Sequence, residues 1–232
     1  MTDFVFTLNI IVWFSIGIGI LFNAILIRWI VRHTPQQMRI YSKILLQTCV
    51  TDILLLIVNL LFFPYDFLTE KGEEESILIG LITIKGMENR IWNFLALTCW
   101  FFLLNVSMFD YVSQFIFRYF VLVRDKNISS PKYFLLLFLI LLFPFAYCIH
   151  MFFNLFPPSD HAILDDKSVA AFLGINLDDQ IILSSYTFND ARVAIGYCYL
   201  TIICTFAYLI IFVLAFRIKQ FLEHEIEMHF IF

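Results

Sequence analysis

The sequence predicts an all-α bundle of membrane-spanning helices, and three observations predict it. Of the 232 residues, 61% are hydrophobic and only 15% are charged, against roughly 45–50% apolar content in soluble domains. The apolar residues gather into five runs long enough to cross a bilayer, and the charged residues gather between those runs. Mean hydropathy is +0.86, and the 29 Phe add to the lipid-like character. A single water-soluble core cannot hide so much apolar surface, so spans rather than globular domains are the unit to count.

About 20 apolar residues carry a helix across a hydrocarbon core of roughly 30 Å, at about 1.5 Å per residue. The first run, 4–27, follows Met1-Thr2-Asp3 and lacks a small-residue cleavage site, so it reads as a retained span rather than a signal peptide. The second run is 40–63 and is stopped by Pro64. The third is 91–121. The fourth, 133–153, carries Pro144, expected to kink it, and Pro157-Pro158 mark its end. The fifth is 193–216, and residues 217–232, with Ile218, Phe221, Leu222 and Ile226 among mixed charges, read as a helical cytoplasmic tail. Period-two alternation is too scarce for barrel strands. Backbone amides in lipid also need internal partners, which makes helices of these runs despite the β-propensity of Val, Ile and Phe. The whole chain is then one membrane domain.

The connectors orient the bundle. Arg28, Arg32, Arg39 and Lys43 surround the first connector without an acid, and Arg118, Arg124, Lys126 and Lys132 surround the third against Asp125 alone. Basic connectors stay in the cytosol. Residues 64–90 hold Asp66, Glu70, Glu73, Glu74, Glu75 and Glu88 against three basic residues, and 154–192 hold six Asp against Lys167 and Arg192. These acidic connectors are expected outside the cytosol as solvated surface, with the N-terminus on the same side. Of two sequons, Asn105-Val106-Ser107 falls within a span and Asn127-Ile128-Ser129 in a cytoplasmic connector, so neither is expected to carry glycan.

Chemistry of other kinds finds little support. Cys49, Cys99, Cys148, Cys198 and Cys204 all lie in apolar runs, with no CxxC pair and no Cys/His grouping for a metal. There is no GxSxG, HExxH or GxxxxGK[ST]. His161, Asp165 and Asp166 share an acidic connector without a nucleophile placed to work with them. No enzyme activity, cofactor, metal or nucleic-acid partner is expected.

Polar residues inside the spans need a reason, because an acid at mid-helix costs about 2.5–3.5 kcal/mol on insertion scales. Asp52 reads either as a functional ion, proton or switch element or as an acid hydrogen-bonded to a neighbouring span through a residue such as Asn23. Ser107, Asp110, Gln114 and Arg118 recur three and four residues apart, a polar stripe down one face of the third helix. Arg118 falls about 12 Å below Asp110 at the helical rise. The stripe serves either function or interhelical packing with a snorkelling Arg. Trp92, Phe94 and Phe102 of the third span and Tyr197 and Tyr199 of the fifth are the candidates for lining a small-ligand pocket, with lipid contact and packing as the plainer reading.

The segment TPQQMRIYSKILLQTCVTD, from Thr34 to Asp52, resembles the first intracellular connector and second helix of nematode serpentine chemoreceptors of the Str superfamily, most closely the Srd-like group. FRYFVLVRDK, from Phe117 to Lys126, is similar to the cytoplasmic end of that family's third helix, with Arg118-Tyr119 in the place of the acidic-Arg-aromatic switch of other seven-helix receptors. Asn23 falls where such receptors usually carry Asn. The resemblance implies a G-protein-coupled receptor fold that detects a small odorant or peptide outside the cell and signals to a heterotrimeric G protein, in the plasma membrane and in sensory cilia. It implies a switch role for Arg118 and Tyr119, G-protein-facing roles for Arg124, Lys126 and Lys132, and a place for Asp52 in the rearranging inner core.

Two departures qualify that expectation. Five spans are counted where the family has seven, so the chain is expected to be a truncated product, an incomplete gene reading, or a protein that pairs with a full-length receptor. The 154–192 connector also contains no Cys, so the disulfide that many receptors form to the third helix cannot form. The competing class is an ion- or proton-coupled transporter or a membrane-complex subunit built on Asp52 and Asp110. Internal repeats would favour it, and none is visible.

Overall fold

The computed structural model describes residues 3–34, 39–68, 73–126, 128–156, 162–187 and 190–231. Its long helices are α1 (Asp3–His33), α2 (Arg39–Phe62), α3 (Arg90–Arg118), α4 (Ser130–Asn154) and α6 (Ala191–Ile231). Among the described residues five helices are long and apolar enough to cross a membrane, spanning Phe6–His33, Tyr41–Phe62, Met87–Val123, Ser130–Asn154 and Ala191–His224. Their outward faces carry large apolar side chains such as Phe14, Phe138 and Phe212, as lipid requires of a bundle surface. Asn127, the acceptor residue of the second sequon, lies outside the described residues, as do Pro157-Pro158 and His161.

α1 packs on α2, α2 on α3, α3 on α4, and α6 closes on both α3 and α4. The α3–α4–α6 side holds the larger core, where Phe94, Leu97, Tyr147, Cys148, Met151 and Val193 are buried together. Pro144 is buried inside α4, which remains helical from Ser130 to Asn154 around it. α3 starts from a 3₁₀ turn at Met87–Asn89, and its end passes into a π-helical turn over Tyr119–Val123. Such π turns are rare and occur disproportionately at functional sites.

The acidic connectors are more than solvated surface. β1 (Pro64–Leu68), β2 (Glu73–Leu78) and β3 (Leu183–Thr187) form one antiparallel sheet in the order β1-β2-β3, pairing Tyr65 with Ile77 and Ser76 with Ser184. The short α5 (Lys167–Leu173) packs against it around Ile77, Leu164, Ala170, Leu173, Ile181 and Leu183. Successive strand residues point to opposite faces, so Ile77 enters this small core while Leu78 enters the α3–α4–α6 core. One strand thereby fastens the cap to the bundle.

The join at α2 is made by backbone. A helix leaves its last carbonyls without partners, and here Leu81 N–H donates to Leu60 O at 3.1 Å and Ile82 N–H to Leu61 O at 2.9 Å. Gly80 makes the approach possible, because a Cβ there would collide with the Leu61 carbonyl.

Candidate functional site

The bundle has a polar seam between α2 and α3. Thr48 and Gln47 meet Asp110, Asp52 meets Ser107 at 3.0 Å, and Asn59 Oδ1 accepts from Trp100 Nε1 at 2.8 Å. Numbers climb along α2 as they fall along α3, as antiparallel neighbours require. Ser107 is the partner that Asp52 finds; Asn23 donates instead to Gly19 O of its own helix at 3.0 Å.

Asp110 is the centre of this seam and has no solvent exposure. Gln47 Nε2 donates to its Oδ1 at 2.8 Å, Thr48 Oγ1 to its Oδ2 at 2.7 Å, Gln114 Nε2 to Oδ2 at 3.0 Å and Tyr133 OH to Oδ1 at 3.3 Å. Gln114 also donates to Thr48 Oγ1 at 2.7 Å, and Ser113 Oγ donates to the Asp110 carbonyl at 2.8 Å. The carboxylate therefore ties together α2, α3 and the first turn of α4. Hydrogen bonds in membrane proteins average about 0.6 kcal/mol, with stronger ones near 1.7. Four of them are comparable to an insertion cost of about 2.5–3.5 kcal/mol. The arrangement surrounds a buried carboxyl group with uncharged partners from three helices.

Aromatic rings carry the knot toward the basic end of the bundle. Tyr133 packs edge-on to Phe117 with centroids 5.6 Å apart, and Phe117 packs edge-on to Tyr41 at 5.4 Å. The next residue, Arg118, is exposed, its guanidinium 5.8 Å from the Phe115 ring. In the π turn Tyr119 receives a hydrogen bond from Arg124 Nε at 3.2 Å, and Lys126 lies 5.9 Å from the Phe120 ring. Asp125 is in the left-handed region at φ 46, which turns the chain back to α4.

The stripe on α3 thus divides: Ser107, Asp110 and Gln114 face α2, while Arg118 leaves the bundle. Of the aromatic candidates, Phe94 is fully buried against Phe152 and Phe156, and Phe102 packs edge-on to Phe145 at 6.0 Å. Tyr197 OH donates to Glu74 Oε2 in the cap at 3.1 Å and Tyr199 OH to Phe143 O at 3.0 Å. Trp92, 63% exposed, stands apart from this group on the bundle's outer surface. Tyr199 also borders a cavity of about 230 Å³ with Ala146, His150, Ile195 and Gly196. Gln47, Thr48, Ser113 and Tyr133 are the residues that sequence reasoning missed. An amide and a hydroxyl side by side in an apolar run, Gln47-Thr48, were the available signal.

The description "Serpentine type 7TM GPCR chemoreceptor Srd" belongs to the family model that matches residues 8–229, nearly the whole chain and both segments that carry the resemblance. The chain belongs to the Srd family. No curated protein and no solved structure matches it. The Asp110 knot and the π turn over Tyr119–Val123 are therefore features of a multi-span chemoreceptor-family membrane protein, and the five apolar helices are spans of that class of bundle.

Proposed function

We propose that this Srd chain is a sensory receptor of the plasma membrane, with its N-terminus and cap extracellular, that binds a small ligand and signals to a heterotrimeric G protein at its basic end. The family match supports the receptor class. The observation that carries the reading is the knot at Asp110, which ties α2, α3 and α4 about 12 Å from the exposed Arg118 at the helical rise. A ligand that moves α3 against α2 has to break hydrogen bonds to a buried carboxyl group, so the bundle responds in discrete steps rather than by gradual bending. Arg118 and Tyr119 act as the switch, and Arg124, Lys126 and Lys132 present positive charge to the G protein. The inner core that rearranges comprises Asn23, Asp52, Ser107, Asp110 and Gln114. On the ligand side, Phe94, Phe102, Tyr197 and Tyr199 shape the receiving region, and Tyr197 couples α6 to the cap through Glu74. No enzymatic turnover accompanies this role.

The test is odorant-evoked G-protein dissociation in cells expressing the chain, screened over a panel of volatile and peptide ligands. Arg118→Ala is expected to abolish the response while surface expression stays unchanged. An undiminished response in Arg118→Ala would remove the switch assignment.

A further inference from the structure

A lateral groove of about 310 Å³ opens where α3, α4 and α6 meet. Phe109 and Val112 of α3 form its buried floor, and Phe143 of α4 with Phe206 and Ile210 of α6 form exposed rims. Every side chain that lines it is apolar. A polar ligand loses its hydrogen bonds there without replacement, so the groove takes hydrocarbon. Its rims belong to the lipid-facing surface, and the bilayer supplies that hydrocarbon as acyl chains.

Helical phase says which lipid. Lys132 lies 11 residues before Phe143 on α4, and Arg217 lies 11 residues after Phe206 on α6. Eleven residues make three turns and about 20° more, so each cation stands on the same helix face as its phenylalanine, about 16 Å away along the axis. Leu139 and Val213, both exposed and apolar, continue the two faces between them. The hydrocarbon of one leaflet is about 15 Å thick, half of a core of roughly 30 Å. A chain that reaches the two phenylalanines therefore carries its head group at the level of the two cations. Both cations are exposed, and neither has an acidic partner among the described residues, whereas the neighbouring Lys219 pairs with Glu223 at 3.6 Å.

We infer that this groove binds an anionic phospholipid, with one acyl chain lying between α4 and α6 on Phe109 and Val112 and the head group paired with Lys132 and Arg217. Lipid tails are as apolar as the groove, so the chain gains little by leaving bulk lipid. The charges select the head group, at about fivefold in affinity for each cation. Phe109 and Val112 pack on Ile203 and Ala207 of α6 while Asp110 turns to Thr48 of α2, so an occupied groove backs α3 on the side away from the Asp110 knot. With the basic end in the cytosol, as proposed above, the groove opens into the leaflet that carries anionic lipid. Lys132 also belongs to the surface offered there to a G protein, so the test reads lipid binding with no G protein present.

The experiment is photolabelling of the full chain in phosphatidylcholine nanodiscs with a phosphatidylglycerol that carries a diazirine near the end of one acyl chain, followed by peptide mapping. Labelling is expected within residues 109–116, 139–143 and 203–210, displaced by unlabelled phosphatidylglycerol but not by the same amount of zwitterionic phosphatidylethanolamine. Lys132→Gln is expected to cut labelling of those segments about fivefold, and Lys132→Gln combined with Arg217→Gln about thirtyfold, with the thermal midpoint in pure phosphatidylcholine unchanged. Equal displacement by phosphatidylethanolamine would overturn the proposal, as would undiminished labelling of the double variant or labelling spread evenly over α1 and α2. If the double variant does not fold, the competition on the unaltered chain decides alone.

Discussion

Asp110 concentrates the physical argument into one side chain. Thr48 both donates to its carboxylate and accepts from Gln114, so Thr48→Val removes two bonds while keeping the side-chain shape. It is expected to cost about 1 kcal/mol, read as a lower midpoint of thermal unfolding in detergent. Asp110→Leu removes all four bonds and strands Gln47 Nε2, at a cost of about 1–3 kcal/mol for a stranded polar group, while Thr48, Gln114 and Tyr133 keep Ile44 O, Thr48 Oγ1 and Ser113 Oγ as partners. Its midpoint is expected below that of Thr48→Val, and equality of the two would show that Gln47 finds another partner. Sequence alone revealed Asp110 and Gln114 as members of a stripe, because helical spacing is local information. It did not reveal Gln47, Thr48 and Tyr133, because which residue of one span meets another depends on the registry of separate helices. The same uncertainty paired Asp52 with Asn23 on paper, while the registry of α2 and α3 pairs it with Ser107.

The elements were unequally legible, for a reason that lies in the solvent. A span announces itself because lipid demands some twenty apolar residues in a row, and α1, α2, α3, α4 and α6 each contain such a run. β2 begins Glu73-Glu74-Glu75-Ser76 and β3 reads LSSYT, so neither displays the alternation by which strands are recognised. They form because Ile77 and Leu183 enter the small core of the cap and Leu78 enters the larger core of the bundle. The cap depends on Gly80 for its approach to α2, so Gly80→Ala is expected to reduce the yield of folded protein sharply. Gly17→Ala is expected to be tolerated, since nothing lies within 4 Å of a Cβ there. Yields of monodisperse protein from the two variants compare them directly. α5 offers a pH test, because Asp166 caps it: its Oδ1 accepts from the Ser168 hydroxyl at 2.6 Å and the Ser168 N–H at 2.8 Å. These bonds hold the Asp166 carboxyl below the usual carboxylate range. The cap is then complete above the unfolded value of about 3.9 and is lost as pH falls through the lowered folded value. Hydrogen-exchange protection of α5 is expected to be flat from neutral pH to about 5, and to fall only below about 4.

At the scale of the molecule, two unlike ends face each other across the bundle. The acidic, folded cap sits at one end of α2, α3, α4 and α6, and the cations around 28–43 and 118–132 collect at the other. The receptor reading depends on these ends lying in different compartments, cap outside and cations in the cytosol. Single cysteines placed at Glu75 in the cap and at Lys126 beyond the π turn, in a background without the native cysteines, measure this directly with a membrane-impermeant maleimide on intact cells. Labelling at position 75 before permeabilisation, and at position 126 only after it, is the predicted result. Labelling of both positions in intact cells, or of neither until the membrane is opened, would contradict the account.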